Sequence, residues 1–180
     1  MGEKMETSKH IYPGDIILFR GKSFISRGIR FFTKSKWNHA ALALDGSYLM
    51  ESTSAGVEKN SIIKLLKKSE AFCILRDSDL AVSDVELIKS KAYSLLYENY
   101  DFLQLISMAP YFALRAIGIN APFLVFNSRT KMICSELCYV SYLAAGIKLG
   151  NKAKLVSPES LCKSPFFEVV YEGDYNNFQK

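Results

Sequence analysis

One histidine and one cysteine, each at the head of an apolar run, are the residues of this sequence best suited to covalent chemistry. His39 stands in Trp37-Asn38-His39-Ala40-Ala41-Leu42-Ala43-Leu44, and Cys134 in Ile133-Cys134-Ser135-Glu136-Leu137-Cys138. An imidazole beside a thiol can take its proton near neutral pH, and the resulting thiolate attacks a carbonyl carbon. Cys134 falls at the expected first turn of a helix, where unpaired backbone N–H groups and the helix dipole favour negative charge. The order is base first, nucleophile about ninety residues later. Glu51, in Leu49-Met50-Glu51-Ser52, is the candidate third member. It could accept a hydrogen bond from the second imidazole nitrogen and so fix the tautomer.

Each of these residues also has a structural reading. A cysteine in a helix and a histidine in a strand are most often core residues. Cys138 provides an internal comparison: it faces the same way one turn later, with no helix-end N–H groups beside it, and reads as core. Zinc needs about four ligands, usually in closely spaced pairs. The sequence offers only His10 and His39, with Cys73 and Cys162 standing alone. No metal site and no cofactor are expected.

The elements that must position these groups are legible in part. The turn Tyr12-Pro13-Gly14-Asp15 leads into an apolar strand over 16–19, and residues 39–44 predict a second strand. Asp45-Gly46 predicts a tight hairpin returning through a strand at 48–51. A further strand is expected at 72–75. Ser83 and Glu86 predict a capping box for a helix carrying Val85, Ile88, Ala92, Leu95 and Leu96 on one face. The cysteine helix is expected over 134–145, stopped by Gly146. Its row of Ile133, Leu137, Val140 and Ala144 is apolar, and the row of Cys134, Cys138, Ser141 and Ala145 is small. Small side chains there would let the helix pack closely on a sheet. Ser157-Pro158 predicts another helix start and 166–171 a last strand.

Two segments invite further readings. Residues 102–126 carry Arg115 as their only charge, but Pro110, Gly118, Asn120 and Pro122 interrupt them. They read as buried helices, or as a hydrophobic lid or acyl-chain pocket, rather than a membrane span. Between 20 and 36 lie Arg20, Lys22, Arg27, Arg30, Lys34 and Lys36 with no acidic residue. A solvated helix face is the first reading and peripheral contact with an anionic membrane the second. No nucleic-acid motif accompanies the charge, so no nucleic-acid partner is expected.

At 180 residues, 49% hydrophobic and 23% charged, the chain has the composition of an ordinary globular protein. One domain over 1–180 is expected, with 1–11 as a flexible N-terminus. A formal charge of +5 is too small to name a partner. Four cysteines without a CxxC pair do not make a disulfide scaffold. The polar stretch 1–10 lacks the apolar core of a signal peptide. Reduced thiols in a cytoplasmic setting are therefore expected, unless a leader has been removed.

The motifs together carry a resemblance. Gly14-Asp15-Ile16-Ile17, Trp37-Asn38-His39-Ala40-Ala41-Leu42, Leu49-Met50-Glu51-Ser52, Tyr100-Asp101 and Ile133-Cys134-Ser135-Glu136-Leu137 resemble the circularly permuted NlpC/P60 proteins. These are papain-like, and the YiiX/YebB-type branch looks nearest. The resemblance runs from about residue 13 to the 157–161 segment. It implies an α+β fold of permuted papain-like topology, with an antiparallel sheet packed against the helix that bears the nucleophile. Cys134 would be the nucleophile, His39 the general base and Glu51 the orienting residue. The backbone N–H of Cys134 would face the oxyanion, and Tyr100 would line the site.

The activity implied is hydrolysis of an amide or ester bond through a thioester, with peptides, including cell-wall-derived ones, as the first substrate class. A lipid-directed thiol acyltransferase or lipase and a non-catalytic binding module of the same fold stand as alternatives. A small peptide or lipid-like molecule is the expected partner.

Overall fold

Four residues of the first strand, Ile16 to Phe19, are at most 3% exposed, so this strand is buried on both faces. The computed structural model describes residues 10–22, 35–53, 55–97, 134–150 and 156–180. The chain forms β1 (Ile16–Arg20), β2 (His39–Ala43), β3 (Tyr48–Thr53), β4 (Gly56–Ser61), α1 (Ile62–Lys68), β5 (Ala71–Arg76) and α2 (Val82–Ser94). It continues through α3 (Cys134–Ala144), α4 (Pro158–Cys162), β6 (Glu168–Gly173) and α5 (Tyr175–Phe178). The fold is α+β, with one sheet in the order β4-β3-β2-β1-β5-β6 and every pairing antiparallel.

Alternation along the strands divides the core in two. Ile16, Leu18, Ala40, Leu42, Met50, Cys73 and Leu75 pack beneath α2 and α3, with Ile88, Ala92, Leu137 and Cys138. Ile17, Phe19, Ala41, Ala43, Leu49, Phe72 and Ile74 turn the other way, onto Ile62 and Leu66 of α1 and Tyr175 and Phe178 of α5. A continuous apolar run thus means a strand covered on both sides, where an alternating one would mean a single covered face.

Several expectations need correction. β3 does return against β2 as the Asp45-Gly46 hairpin signal implied, and only the detail of the loop differs from a minimal turn. Leu44 N–H reaches Tyr48 O at 2.9 Å, and the Asp45 carboxylate accepts from the N–H groups of Ser47 and Tyr48 at 2.7 Å each. Asp45 acts through its side chain, closing a longer loop. The helix at 82 is not capped by Ser83 and Glu86; Asp84 reaches back to the N–H of Ala81 at 3.1 Å. β4 and α1 were not expected at all, because Gly56–Ser61 carries one buried apolar side chain, Val57, and no apolar alternation. β6 starts two residues later than the apolar pattern suggests. Phe167 instead closes a turn onto Ser164 and packs its ring edge-on against Tyr142.

The cysteine helix ends as anticipated. Gly146 has φ +80. Its N–H bonds Leu143 O, and that of Ile147 bonds Tyr142 O. This is a Schellman closure, which needs a left-handed residue where glycine has no steric cost. Of the two rows expected to pack, Leu137, Cys138 and Ser141 are buried but Ala144 is exposed. Tyr139 and Tyr142 take up the remaining burial. Most of the segment 20–36, all of 102–126 and Tyr100 lie outside the described residues.

Candidate active site

His39 begins β2, and two bonds from the preceding residue hold that beginning in place. Asn38 N–H donates to Phe19 O at 3.1 Å, and the Asn38 side-chain oxygen accepts from Gly21 N–H at 2.7 Å. The strand therefore starts at a fixed point beside the end of β1. Phe19 is the register partner of His39, and its ring lies 6.0 Å from the imidazole between centroids.

Glu51 lies on the neighbouring strand. Its register partner is Ala41, two residues beyond His39 and in phase with it. The two side chains therefore share a face and meet along the diagonal, where long side chains can reach one another. His39 Nε2 lies 2.7 Å from Glu51 Oε2, and the Glu51 side chain is 8% exposed against 22% for His39. The second carboxylate oxygen, Oε1, accepts from the side-chain amide of Asn60 at 2.8 Å.

Cys134 comes from the opposite side. α3 packs on the face of Ala40 and Leu42, away from the face that His39 and Glu51 share. The thiol therefore meets the imidazole around the end of the strand and not through the sheet. The β2–β3 register runs only from Ala41 to Ala43, so the backbone of Ala40 lies beyond the paired stretch, where its N–H bonds the Cys134 sulfur. The N–H of Ser135 bonds the same sulfur. Ser135 itself is locked, its hydroxyl donating to Val156 O at 2.6 Å. Further along α3, the Tyr142 hydroxyl donates to Gly14 O at 2.7 Å. The helix tip is thus tied at the residue beside the thiol and again two turns later.

The electrostatics follow from these contacts. Burial alone would push the Cys134 thiol up. The hydrogen bond with His39, the imidazolium charge and the N–H groups of Ala40 and Ser135 outweigh it and hold the thiol below its ordinary range. Burial likewise opposes charge on His39, but Cys134 and Glu51 raise it to about 10. With Nε2 committed to Glu51, Nδ1 is the nitrogen left for the sulfur. Both shifts run in the direction of a thiolate paired with an imidazolium. Cys138 has the opposite environment: burial and then the neighbouring Cys134 push its thiol up, out of reach of ionisation. Burial and then Cys162 do the same to Cys73. All four cysteines are free of disulfides. His10 is exposed, and its carbonyl accepts from Arg76 Nη2 at 2.7 Å.

Three of the four expected site residues are thus brought together, and the fourth, Tyr100, lies outside the described residues. Asn38, Asn60 and the N–H groups of Ala40 and Ser135 were missed. Asn38 had a signal, since it stands directly before the histidine. Asn60 had none beyond its alternation with Glu58.

No protein-family model matches this chain. The chain is similar to the probable lipoprotein peptidase YaeF of Escherichia coli K12, with 28% identity over 117 residues. That match covers 65% of this chain and 43% of the relative, so the chain spans less than half of that protein's length. The fold is that of the metalloprotein YiiX from Escherichia coli O157:H7, with a TM-score of 0.69 at 20% identity, over 91% of this chain and 98% of that one. This is a likeness to YaeF in sequence and to YiiX in fold.

The lipoprotein name of YaeF gives no support to the cytoplasmic setting expected from the sequence. No helix among the described residues is long and apolar enough to cross a membrane. The residues described here do not fit a metal centre either. His39 Nε2 and Glu51 Oε2 point at one another and not at a common point, and no group of three or more His, Cys, Asp or Glu among the described residues could hold a metal ion.

Proposed function

We propose that this chain is a cysteine hydrolase of the peptidase or amidase type, with Cys134 as nucleophile, His39 as general base and acid, and Glu51 as the residue that orients and charges the imidazole. The observation that carries this reading is the placement of Cys134 at the head of α3 beside an imidazole that is itself bonded to a carboxylate at 2.7 Å. The peptidase name of YaeF supports the reaction class. The His–Glu–Cys order along the chain and the sheet packed on the cysteine helix support a papain-like domain of NlpC/P60 type in permuted order, formed by the whole chain.

The reaction proceeds from the ion pair. The Cys134 thiolate attacks the substrate carbonyl carbon, and the oxyanion that forms accepts from the backbone N–H at the head of α3. The imidazolium gives its proton to the leaving amine or alcohol as the carbon–nitrogen or carbon–oxygen bond breaks. A thioester remains on Cys134. Neutral His39 then takes a proton from water, whose oxygen attacks the thioester, and the thiolate leaves as the acid product is released. Glu51 stays ionised throughout and stabilises the imidazolium.

Trapping the intermediate tests the proposal. Protein mixed with short peptide esters or amides and quenched in acid should gain one acyl mass on the peptide containing Cys134. The same chain with Cys134→Ala should gain none. Acyl transfer from phospholipid but not from peptides would redirect the substrate class to lipids. No acyl adduct from either source would contradict a covalent mechanism.

A further inference from the structure

The carboxylate of Glu51 has two oxygens, and only one of them faces the imidazole. Oε1 turns toward β4, where the Asn60 side-chain amide donates to it at 2.8 Å. An ionised carboxylate is an acceptor only, so the amide must present its NH2 group, which fixes the orientation of Asn60 by chemistry alone. The register shows why Asn60 can do this. Glu51 pairs across to Glu58, which puts Asn60, two residues further along β4, on the same face and on the diagonal. The residue directly opposite Glu51 is therefore another acid, an arrangement that disfavours a fixed carboxylate. Glu58 is drawn aside by the Thr53 hydroxyl, which donates to its Oε2 at 2.9 Å. With the Glu51 side chain only 8% exposed, water has little access to take over the second bond.

We propose that Asn60 is a positioning residue of the active site: it clamps the outer oxygen of Glu51 so that the inner one stays aimed at His39. The chain of contacts runs from Asn60 to Glu51 to His39 to Cys134, across three neighbouring strands and one helix tip. This rests on the hydrolase reading given above and adds a residue that touches neither substrate nor sulfur. Without the clamp the carboxylate can turn about its terminal bond. The imidazolium then loses its fixed partner, and the thiolate loses support from the imidazolium.

The test is the pH dependence of Cys134 alkylation by iodoacetamide, followed by peptide mass mapping, which needs no knowledge of the substrate. Asn60→Leu and Asn60→Ala each remove the donor, one keeping the bulk and the other adding none. In both, the midpoint of labelling should move up by about one pH unit, about a tenfold loss of thiolate at a fixed lower pH. Asn60→Gln, which keeps the amide, should recover at least half of that shift. A purely structural role would lower the melting temperature and leave the midpoint in place. Unmoved midpoints in folded Leu or Ala variants, or a Gln variant as impaired as Ala, would overturn the role of Asn60. A wild-type Cys134 that labels no faster than a free thiol would overturn the hydrolase reading itself, and this inference with it.

Discussion

His39 Nε2 and Glu51 Oε2 lie 2.7 Å apart although they are not register partners; Glu51 stands opposite Ala41. The diagonal matters because it leaves His39 at the end of β2 that pairs with β1 but not with β3, where a helix tip can approach from the other face. Had Glu51 stood directly opposite His39, the β2–β3 ladder would have extended to the histidine and enclosed the Ala40 N–H that now bonds Cys134. The geometry combines a carboxylate from one face of the sheet with a sulfur from the other, joined by one imidazole.

Thiol selectivity is the first consequence. Iodoacetamide at neutral pH should modify Cys134 at least tenfold faster than Cys138 or Cys73, whose thiols burial pushes up. Cys138→Ala should keep most of the activity, and Cys134→Ala should have none. Peptide mapping and turnover on the two variants check this. Equal losses from both changes would assign the effect to packing.

Glu51→Gln removes charge while keeping size. The imidazolium loses its carboxylate, so His39 should ionise well below its present value of about 10. Activity above neutral pH should fall by about a hundredfold or more, as expected when the acid that orients a catalytic histidine is neutralised. In a pH–rate profile the alkaline limb, which reports loss of the imidazolium proton, should move toward neutral pH. A limb that stays in place would separate Glu51 from the chemistry.

The sequence made the site more legible than its surroundings. His39, Glu51 and Cys134 each stand at the edge of an apolar run, and such boundaries are where periodicity and end signals are strongest. Gly146 and Ser157-Pro158 are signals of the same local kind. β4 was invisible because it is an edge strand whose side chains are mostly polar, held by pairing with β3 rather than by its own pattern. Asn60, which lies on it, was invisible for the same reason. The meeting of Cys134 with His39 around the end of the sheet depends on which face α3 covers. Neither local sequence holds that information.

Arg76 and Asp15 offer a stability test away from the site. Asp15 is 2% exposed and accepts from Arg76 Nε at 2.8 Å, Arg76 Nη2 at 2.7 Å and Tyr12 N–H at 2.8 Å. Arg76→Met leaves that carboxylate buried without its cation and should cost about 3–5 kcal/mol in urea unfolding. Asp15→Leu added to it should regain part of the loss, because no unpaired charge remains. A loss below about 1 kcal/mol would place the pair among surface bridges of little consequence.

The most direct measurement is the ionisation of the Cys134 sulfur itself, read as thiolate absorbance in the ultraviolet against the Cys134→Ala protein. The structure predicts a titration below the ordinary thiol range, and an upward move when His39 is replaced by alanine. A sulfur that titrates like a free thiol, whether or not His39 is present, would contradict the ion pair on which the proposed function rests.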